Sequence, residues 1–224
     1  MNIEVEKLPT TIWGLAYTPK VAPEIADKDH LFGPEGMPFI PTGGFFSAAN
    51  AGAMKAVLAL LRPRSIMEIG VWCGRTREHS STDCILRNKP SDAWYFGVDI
   101  ADEGRAAHIA EFNDPKAVFV RSDSSDIGTV CDQLLERSIP RPDLIWIDGR
   151  HSVSQCLKDW RYAGWVTNAG VILLHDINYH PGPRVLFDAV DERFFEKIDL
   201  FPPLDPKADP AFGADYGMGL LVRR

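Results

Sequence analysis

Ser65-Ile-Met-Glu-Ile-Gly-Val-Trp-Cys-Gly74 is the stretch of the sequence that decides the fold. Its first half is an apolar run that carries Glu68, and two glycines, Gly70 and Gly74, come before a polar segment that begins at Thr76. This order predicts a β-strand, a glycine turn and the N-terminus of a helix. Glycine lets a backbone approach a ligand closely, and a helix N-terminus offers unpaired N–H groups to an anion. We therefore expect a nucleotide-like cofactor here if further parallel strands follow.

Further strands are predicted along the rest of the chain. The runs are apolar throughout rather than alternating, as in a parallel sheet covered on both faces, and helical segments separate them. The predicted strands cover residues 66–70, 94–99, 117–121, 143–148, 170–175, 195–201 and 216–223. Of the segments between them, residues 153–166 are predicted to form a helix and residues 180–183 a rigid loop. We expect an α/β fold with a Rossmann-like, doubly wound sheet of seven strands, of which the last is antiparallel. Residues 1–60 are interpreted as an N-terminal arm and helix, and residues 61–224 as the domain that contains this sheet.

Composition narrows the class of partner. The 24 basic and 31 acidic residues give a net charge of −7, which disfavours nucleic acid as the main partner. No apolar run is long enough to span a membrane, and the first residues lack a signal-peptide pattern. The four cysteines are scattered, which favours reduced, mostly buried thiols over a zinc or disulfide site. We expect a cytoplasmic protein without a membrane partner.

Polar residues recur where the predicted strands end. In open α/β sheets, ligands bind at the carboxyl ends of the strands. One aspartate at such an end is usually a helix cap, but a series of them along one sheet edge is hard to explain by capping alone. The strand ends read Glu68, Asp99, Ser122-Asp123, Asp148 and His175-Asp176.

These motifs resemble those of class I S-adenosylmethionine (SAM)-dependent methyltransferases, in particular methyltransferase family 24, near the macrocin O-methyltransferase and cephalosporin-hydroxylase-like groups. The resemblance is carried by Glu68-Ile-Gly-Val-Trp-Cys-Gly74, Gly97-Val-Asp99, Asp143-Leu-Ile-Trp-Ile-Asp-Gly-Arg-His151, Gly170-Val-Ile-Leu-Leu-His-Asp176 and Gly217-Met-Gly219. Trp72 departs from the middle glycine of the general methyltransferase loop, although the family-24 branch often lacks that glycine too. The resemblance implies bound SAM and methyl transfer to a hydroxyl of a small molecule, such as a sugar or another natural product.

Several residues are candidates for binding SAM. Gly70 and Gly74 would let the backbone pass the methionine moiety, and Glu68 would help to hold its ammonium end or would instead organise the loop. A carboxylate at the position of Asp99 can accept both ribose hydroxyls, although it could also cap the next helix. The adenine amino group needs an acceptor, for which the sequence offers residues 122–124, unless these form an ordinary turn. The candidates in this part of the site are Ser122, Asp123, Ser124 and, from the next strand, Asp148.

Catalysis requires a deprotonated hydroxyl in line with the methyl group. Asp148 and Asp176 end neighbouring strands and could share a hard cation, for which oxygen ligands indicate Mg²⁺. His175 and Asn178 are further candidate ligands, although related enzymes can carry an acid at the histidine position. His151 is the candidate general base, with Asp148 beside it, or else a loop histidine bonded to backbone.

Two other functions stay open at this point. A non-catalytic SAM-binding partner protein would share the cofactor site, whereas an NAD-dependent oxidoreductase is less favoured because the glycine loop lacks G-x-G-x-x-G. The first 60 residues could cover the cofactor, bind substrate or form a contact in a homo-oligomer. The sequence does not identify the methyl acceptor.

Overall fold

A single seven-stranded sheet forms the centre of the protein, with strand order β3-β2-β1-β4-β5-β7-β6. The computed structural model describes residues 46, 48–71, 80–102, 104–178, 180–200 and 217–224. The strands are β1 (Ser65–Ile69), β2 (Trp94–Asp99), β3 (Ala117–Arg121), β4 (Leu144–Ile147), β5 (Val171–His175), β6 (Phe195–Asp199) and β7 (Met218–Arg223). Strands β1 to β5 are mutually parallel where they pair, and β7 is antiparallel to both β5 and β6. The expected fold class is confirmed.

Helices connect these strands and cover both faces of the sheet. The α-helices are α1 (Ala48–Leu61), α2 (Ser81–Asn88), α3 (Arg105–Ala110), α4 (Ile127–Glu136), α5 (Val153–Asp159) and α6 (Pro181–Ala189), and a 3₁₀ helix covers Trp160–Gly164. Side-chain hydroxyls and carboxylates at Ser80, Asp126 and Ser152 accept backbone N–H groups at the starts of α2, α4 and α5. Among these helices, none has the length and apolar content needed to cross a membrane.

Alternate residues of the buried strands supply two separate cores, because successive side chains of a strand point to opposite faces. On one face, Met67 and Ile69 join the cluster that includes residues of α4, α5 and α6. On the other face, Ile66 joins Met54 and Leu58 of α1 and the buried residues of α2. Glu68 points to this second face although it carries a carboxyl group, and it is fully buried there.

Some predicted boundaries differ from the structure. The helix expected over residues 153–166 is divided at Asp159 into an α-helix and a 3₁₀ helix. Residues 180–183, expected to form a rigid loop, instead begin α6, with a proline in its first turn, where the missing N–H costs nothing. Helix α3 was not expected at all. The cysteines Cys84, Cys131 and Cys156 are buried free thiols, as expected, and Cys73 lies outside the described residues.

Candidate active site

A pocket of about 630 Å³ opens at the carboxyl ends of the parallel strands. Eight of the residues that the sequence singled out line it, although they come from five different strand ends or the loops after them. They are Gly70, Asp99, Ser122, Asp123, Ser124, Asp148, His151 and Asp176. Glu68, His175 and Asn178 are not part of its lining, and Gly74 lies outside the described residues.

The turn after β1 is held close to the end of β4. Gly70 has a φ of +88°, and its N–H donates to the carbonyl oxygen of Val98. A Cβ on Gly70 would overlap the carbonyl group of Asp148 and would lie 2.8 Å from the Cα of Gly149. The glycine is therefore required by both the left-handed backbone and the neighbouring loop.

The carboxylate of Glu68 is directed into the protein rather than into the pocket. It accepts hydrogen bonds from the hydroxyls of Ser81, at 2.6 Å, and Thr82, at 2.9 Å, and from the hydroxyl of Tyr95. Burial raises the pKa of Glu68 to about 7, although the three hydroxyls oppose this shift. These contacts join β1 to the start of α2 and to β2, which supports the loop-organising alternative for this residue.

Asp99 lies at the end of β2 and faces the pocket. One carboxylate oxygen accepts the N–H of Ala101 at 2.8 Å, and the other lies 3.2 Å from Nε of Arg105. The same Nε donates to the carbonyl oxygen of Val71 at 2.8 Å. Arg105, which also lines the pocket, therefore connects the turn after β1 to the acid at the end of β2.

The loop after β3 is fixed by a buried acid on α5. The hydroxyl of Ser124 donates to Oδ1 of Asp159 at 2.6 Å, and the side-chain amide of Gln155 donates to both residues. Burial raises the pKa of Asp159 to about 6. Asp123 is exposed and accepts the N–H of Ser125, as in an ordinary turn.

Two aspartates and two histidines meet at the ends of β4 and β5. Nε2 of His151 lies 3.3 Å from Oδ1 of Asp148 and 3.1 Å from Oδ2 of Asp176. Nδ1 of His175 lies 3.2 Å from Oδ1 of Asp148 and 3.0 Å from Oδ1 of Asp176. Asp176 has a φ of +61°, an uncommon backbone for a residue other than glycine, at the point where its carboxylate turns into this cluster.

The charges and the burial of this cluster shift the pKa values of its side chains. Burial disfavours the ionised form of Asp148, yet His175 and His151 hold its pKa below the ordinary value. Burial likewise disfavours the charged ring of His151, but the neighbouring carboxylates raise its pKa above the ordinary value. The ring of a third histidine, His180, stacks on His151 with centroids 4.3 Å apart, and burial lowers the pKa of His180 to about 4.

His175 is held from its other side by a residue of the first described helix. Its Nε2 lies 3.0 Å from Nδ2 of Asn50, on α1, and its side chain is only 1% exposed. The ring also packs at a tilt against Trp146, with centroids 5.2 Å apart. Asn178, the remaining candidate ligand, packs against Gly217 at the start of β7.

Residues 67–177, about half of the 224-residue chain, match the sequence profile of methyltransferase family 24, described as a methyltransferase domain. The match begins inside β1 and ends just after Asp176, so it includes every strand end that lines the pocket. The chain belongs to the class I SAM-dependent methyltransferases. No curated protein matches this methyltransferase in sequence.

Solved structures share its fold at low sequence identity. A Staphylococcus aureus protein assigned as a caffeoyl-CoA O-methyltransferase is 12% identical, with a TM-score of 0.56, over 80% of this chain and 84% of that one. The O-methyltransferase TomG of Streptomyces achromogenes, solved with SAM, is 15% identical, with a TM-score of 0.53, over 79% and 80%. The mycinamycin methyltransferase MycE, solved with Mg and SAH, the demethylated form of SAM, is 14% identical, with a TM-score of 0.52. The match covers 83% of this methyltransferase but only 52% of MycE.

Four residues of the methyltransferase's site were missed by sequence reasoning: Asn50, Arg105, Gln155 and Asp159. Each lies on a helix, whereas the sequence signals of the site lie at the ends of the strands. Asp159 and Gln155 are four residues apart and therefore share one face of α5, a pattern that could have indicated a common polar partner. No signal of this kind identifies Asn50, because its partner is 125 residues away.

Proposed function

We propose that this methyltransferase transfers the methyl group of SAM to a hydroxyl of a small molecule, such as a sugar or another natural product. The observation that carries the proposal is the convergence of Asp99, Asp148, His151 and Asp176 on one pocket. Asp99, at one end of the pocket, suits the binding of a nucleoside. At the other end, His151 lies between two acids and suits a reacting hydroxyl.

SAM fits the residues of the pocket. The carboxylate of Asp99 is fixed by Ala101 and Arg105, and it keeps lone pairs for the ribose hydroxyls. The loop 122–124 borders the part of the pocket that would receive the adenine, and Gly70 and the neighbouring turn would receive the methionine end. When bound, SAM supplies a methyl group on a positively charged sulfur, so that the chain has only to orient the acceptor and remove its proton.

His151 is the proposed base. Its Nε2 faces the two carboxylates, whose charges stabilise the ring when it carries a proton. Helix α6 lies directly against the His151 loop: the ring of His180 stacks on His151, and a Cβ on Gly182 would overlap the carbonyl oxygen of His151. These contacts limit the movement of the loop. An acceptor hydroxyl in the pocket would therefore meet a base of fixed orientation.

A divalent cation is proposed beside Asp148 and Asp176, whose carboxylates lie together at the pocket. When bound, such an ion would lower the pKa of an acceptor hydroxyl and fix its position. The sequence indicated Mg²⁺, with His175 and Asn178 as further ligands. The fit to Mg²⁺ is incomplete, since His175 presents a ring nitrogen to both carboxylates.

Calorimetry with SAM, S-adenosylhomocysteine and NAD tests the cofactor, and a screen of hydroxylated acceptors with isotope-labelled SAM tests the transfer. We expect binding of the first two compounds, no binding of NAD, and label in an acceptor. Binding of NAD instead would favour the oxidoreductase. Tight SAM binding without transfer to any acceptor class would favour the non-catalytic partner protein.

A further inference from the structure

The donors at the ends of β4 and β5 are not those that a magnesium site uses. Asp148, His175 and Asp176 each contribute one potential ligand atom, and these three atoms lie within 4.8 Å of one another. Mg²⁺ prefers an all-oxygen octahedron, whereas imidazole nitrogen suits first-row transition ions such as Mn²⁺, Fe²⁺, Co²⁺ and Zn²⁺. The identity of the third donor therefore bears directly on the choice of ion.

The distances suit a shared ion as well as hydrogen bonds. Two ligands at about 2.1 Å from an ion and at right angles to each other are about 3.0 Å apart. Nδ1 of His175 lies 3.0 Å from Oδ1 of Asp176 and 3.2 Å from Oδ1 of Asp148. Asp148 also lines the open pocket, so an ion can reach the cluster from solvent.

A second group of donors in the same region, His151, Asp176 and His180, is less suitable. The rings of His151 and His180 are stacked, with an interplanar angle of 9°. The nitrogen lone pairs of an imidazole lie in the plane of its ring, so those of two stacked rings run side by side and do not converge on one ion. His151 thus stays available as a base.

Asn50 contacts the nitrogen of His175 that does not face the carboxylates. It lies 3.0 Å from Nε2 and leaves Nδ1 toward Asp148 and Asp176. A side-chain amide can present either its N–H or its oxygen. With the oxygen toward Nε2–H, the proton of the neutral ring stays on Nε2, and Nδ1 carries a lone pair for a metal.

We propose that Asp148, Asp176 and Nδ1 of His175 hold a first-row transition ion in preference to Mg²⁺, and that Asn50 is the positioning residue for this nitrogen. The inference rests on the proposed function only in assuming that a divalent ion belongs to the site.

Metal titrations of the full chain, without methyl acceptor, test the proposal. Oxygen-only sites also bind Co²⁺ more tightly than Mg²⁺. The decisive quantity is therefore the dissociation constant for Mg²⁺ divided by that for Co²⁺, compared between wild type and His175→Glu. We expect this ratio to fall at least about tenfold in His175→Glu, and Asn50→Leu to weaken Co²⁺ binding by about 10–100-fold with little change for Mg²⁺. An unchanged ratio in a folded His175→Glu variant would overturn the assignment.

A spectroscopic measurement on the wild-type chain does not depend on whether the variants fold. Electron spin-echo spectra of bound Mn²⁺ should contain couplings from ¹⁴N that change when histidine is labelled with ¹⁵N. The absence of nitrogen coupling would mean oxygen-only ligation and would refute the proposal. SAM affinity measured in the same samples separates the two ideas, because loss of SAM binding with intact nitrogen coupling would contradict the proposed function alone.

Discussion

Gly70 and Asp148 are in such close contact across β1 and β4 that a single added methyl group on the glycine would overlap the aspartate's carbonyl group. Gly70 belongs to the turn after β1, and Asp148 belongs to the cluster of acids and histidines at the other end of the pocket. The backbone contact thus fixes the distance between the two ends of the site. The absence of a side chain at Gly70 is therefore needed for the packing of the site, whether or not the glycine also contacts a ligand.

Gly70→Ala should strongly destabilise the protein. The left-handed backbone costs an alanine about 1–2 kcal/mol, and the overlap with Asp148 adds to that cost. Gly104→Ala is a matched control, because Gly104 has the same φ of +88° but has no atom within 4 Å of a Cβ. The free energies of unfolding of both variants, measured with urea, should differ by more than about 1 kcal/mol. Equal losses would mean that the neighbouring loop moves aside easily.

Glu68 should make the stability of the fold depend on pH. Its folded-state pKa, about 7, is above the ordinary value of 4.5, so its contribution is full below pH 4.5 and is lost as the pH rises through 7. The shift corresponds to about 3 kcal/mol between these limits. In Glu68→Gln, the fall in unfolding free energy between pH 5 and pH 8 should be smaller by about this amount. The exposed Glu136→Gln should behave as wild type, and identical pH profiles for wild type and Glu68→Gln would contradict the prediction.

Asp99→Ala should weaken the binding of SAM by about 1–3 kcal/mol, because the ribose hydroxyls would lose a fixed carboxylate. The affinity for adenosine should fall by a similar factor, since the contact is to the nucleoside. Asp102→Ala, in an exposed acid of the same loop that does not line the pocket, is the control and should bind SAM normally. If calorimetry gives wild-type affinity for Asp99→Ala, the residue serves only to hold Arg105 and the turn.

His151→Gln should lower kcat by about 10²–10⁴-fold while SAM affinity stays near wild type, because a general base acts in the transition state. The glutamine keeps a side chain of similar reach but cannot accept a proton at neutral pH. Lys158→Ala, in an exposed residue of α5, should keep normal turnover and serves as the control. Turnover near wild type in His151→Gln would mean that His151 only stabilises its loop. His180 would then be the candidate for the base.

The strands could be predicted closely from the sequence, because their signals are local. β2 and β3 have the expected boundaries, and the remaining strands differ by only a few residues. The acids at their carboxyl ends could also be placed at one edge, since parallel strands end together. The short helix α3 was missed because six residues with a glycine cap give little periodic pattern.

The sequence by itself determined the fold class, the edge of the sheet that carries the site and several of the polar side chains that line the pocket. It did so because apolar runs, glycines and strand-terminal acids are read from neighbouring residues. Only the tertiary structure decided that Glu68 bonds to Ser81, Thr82 and Tyr95, and that Asn50 meets His175. These pairings depend on how helices pack across the sheet, and no local pattern encodes which side chains such packing brings into contact.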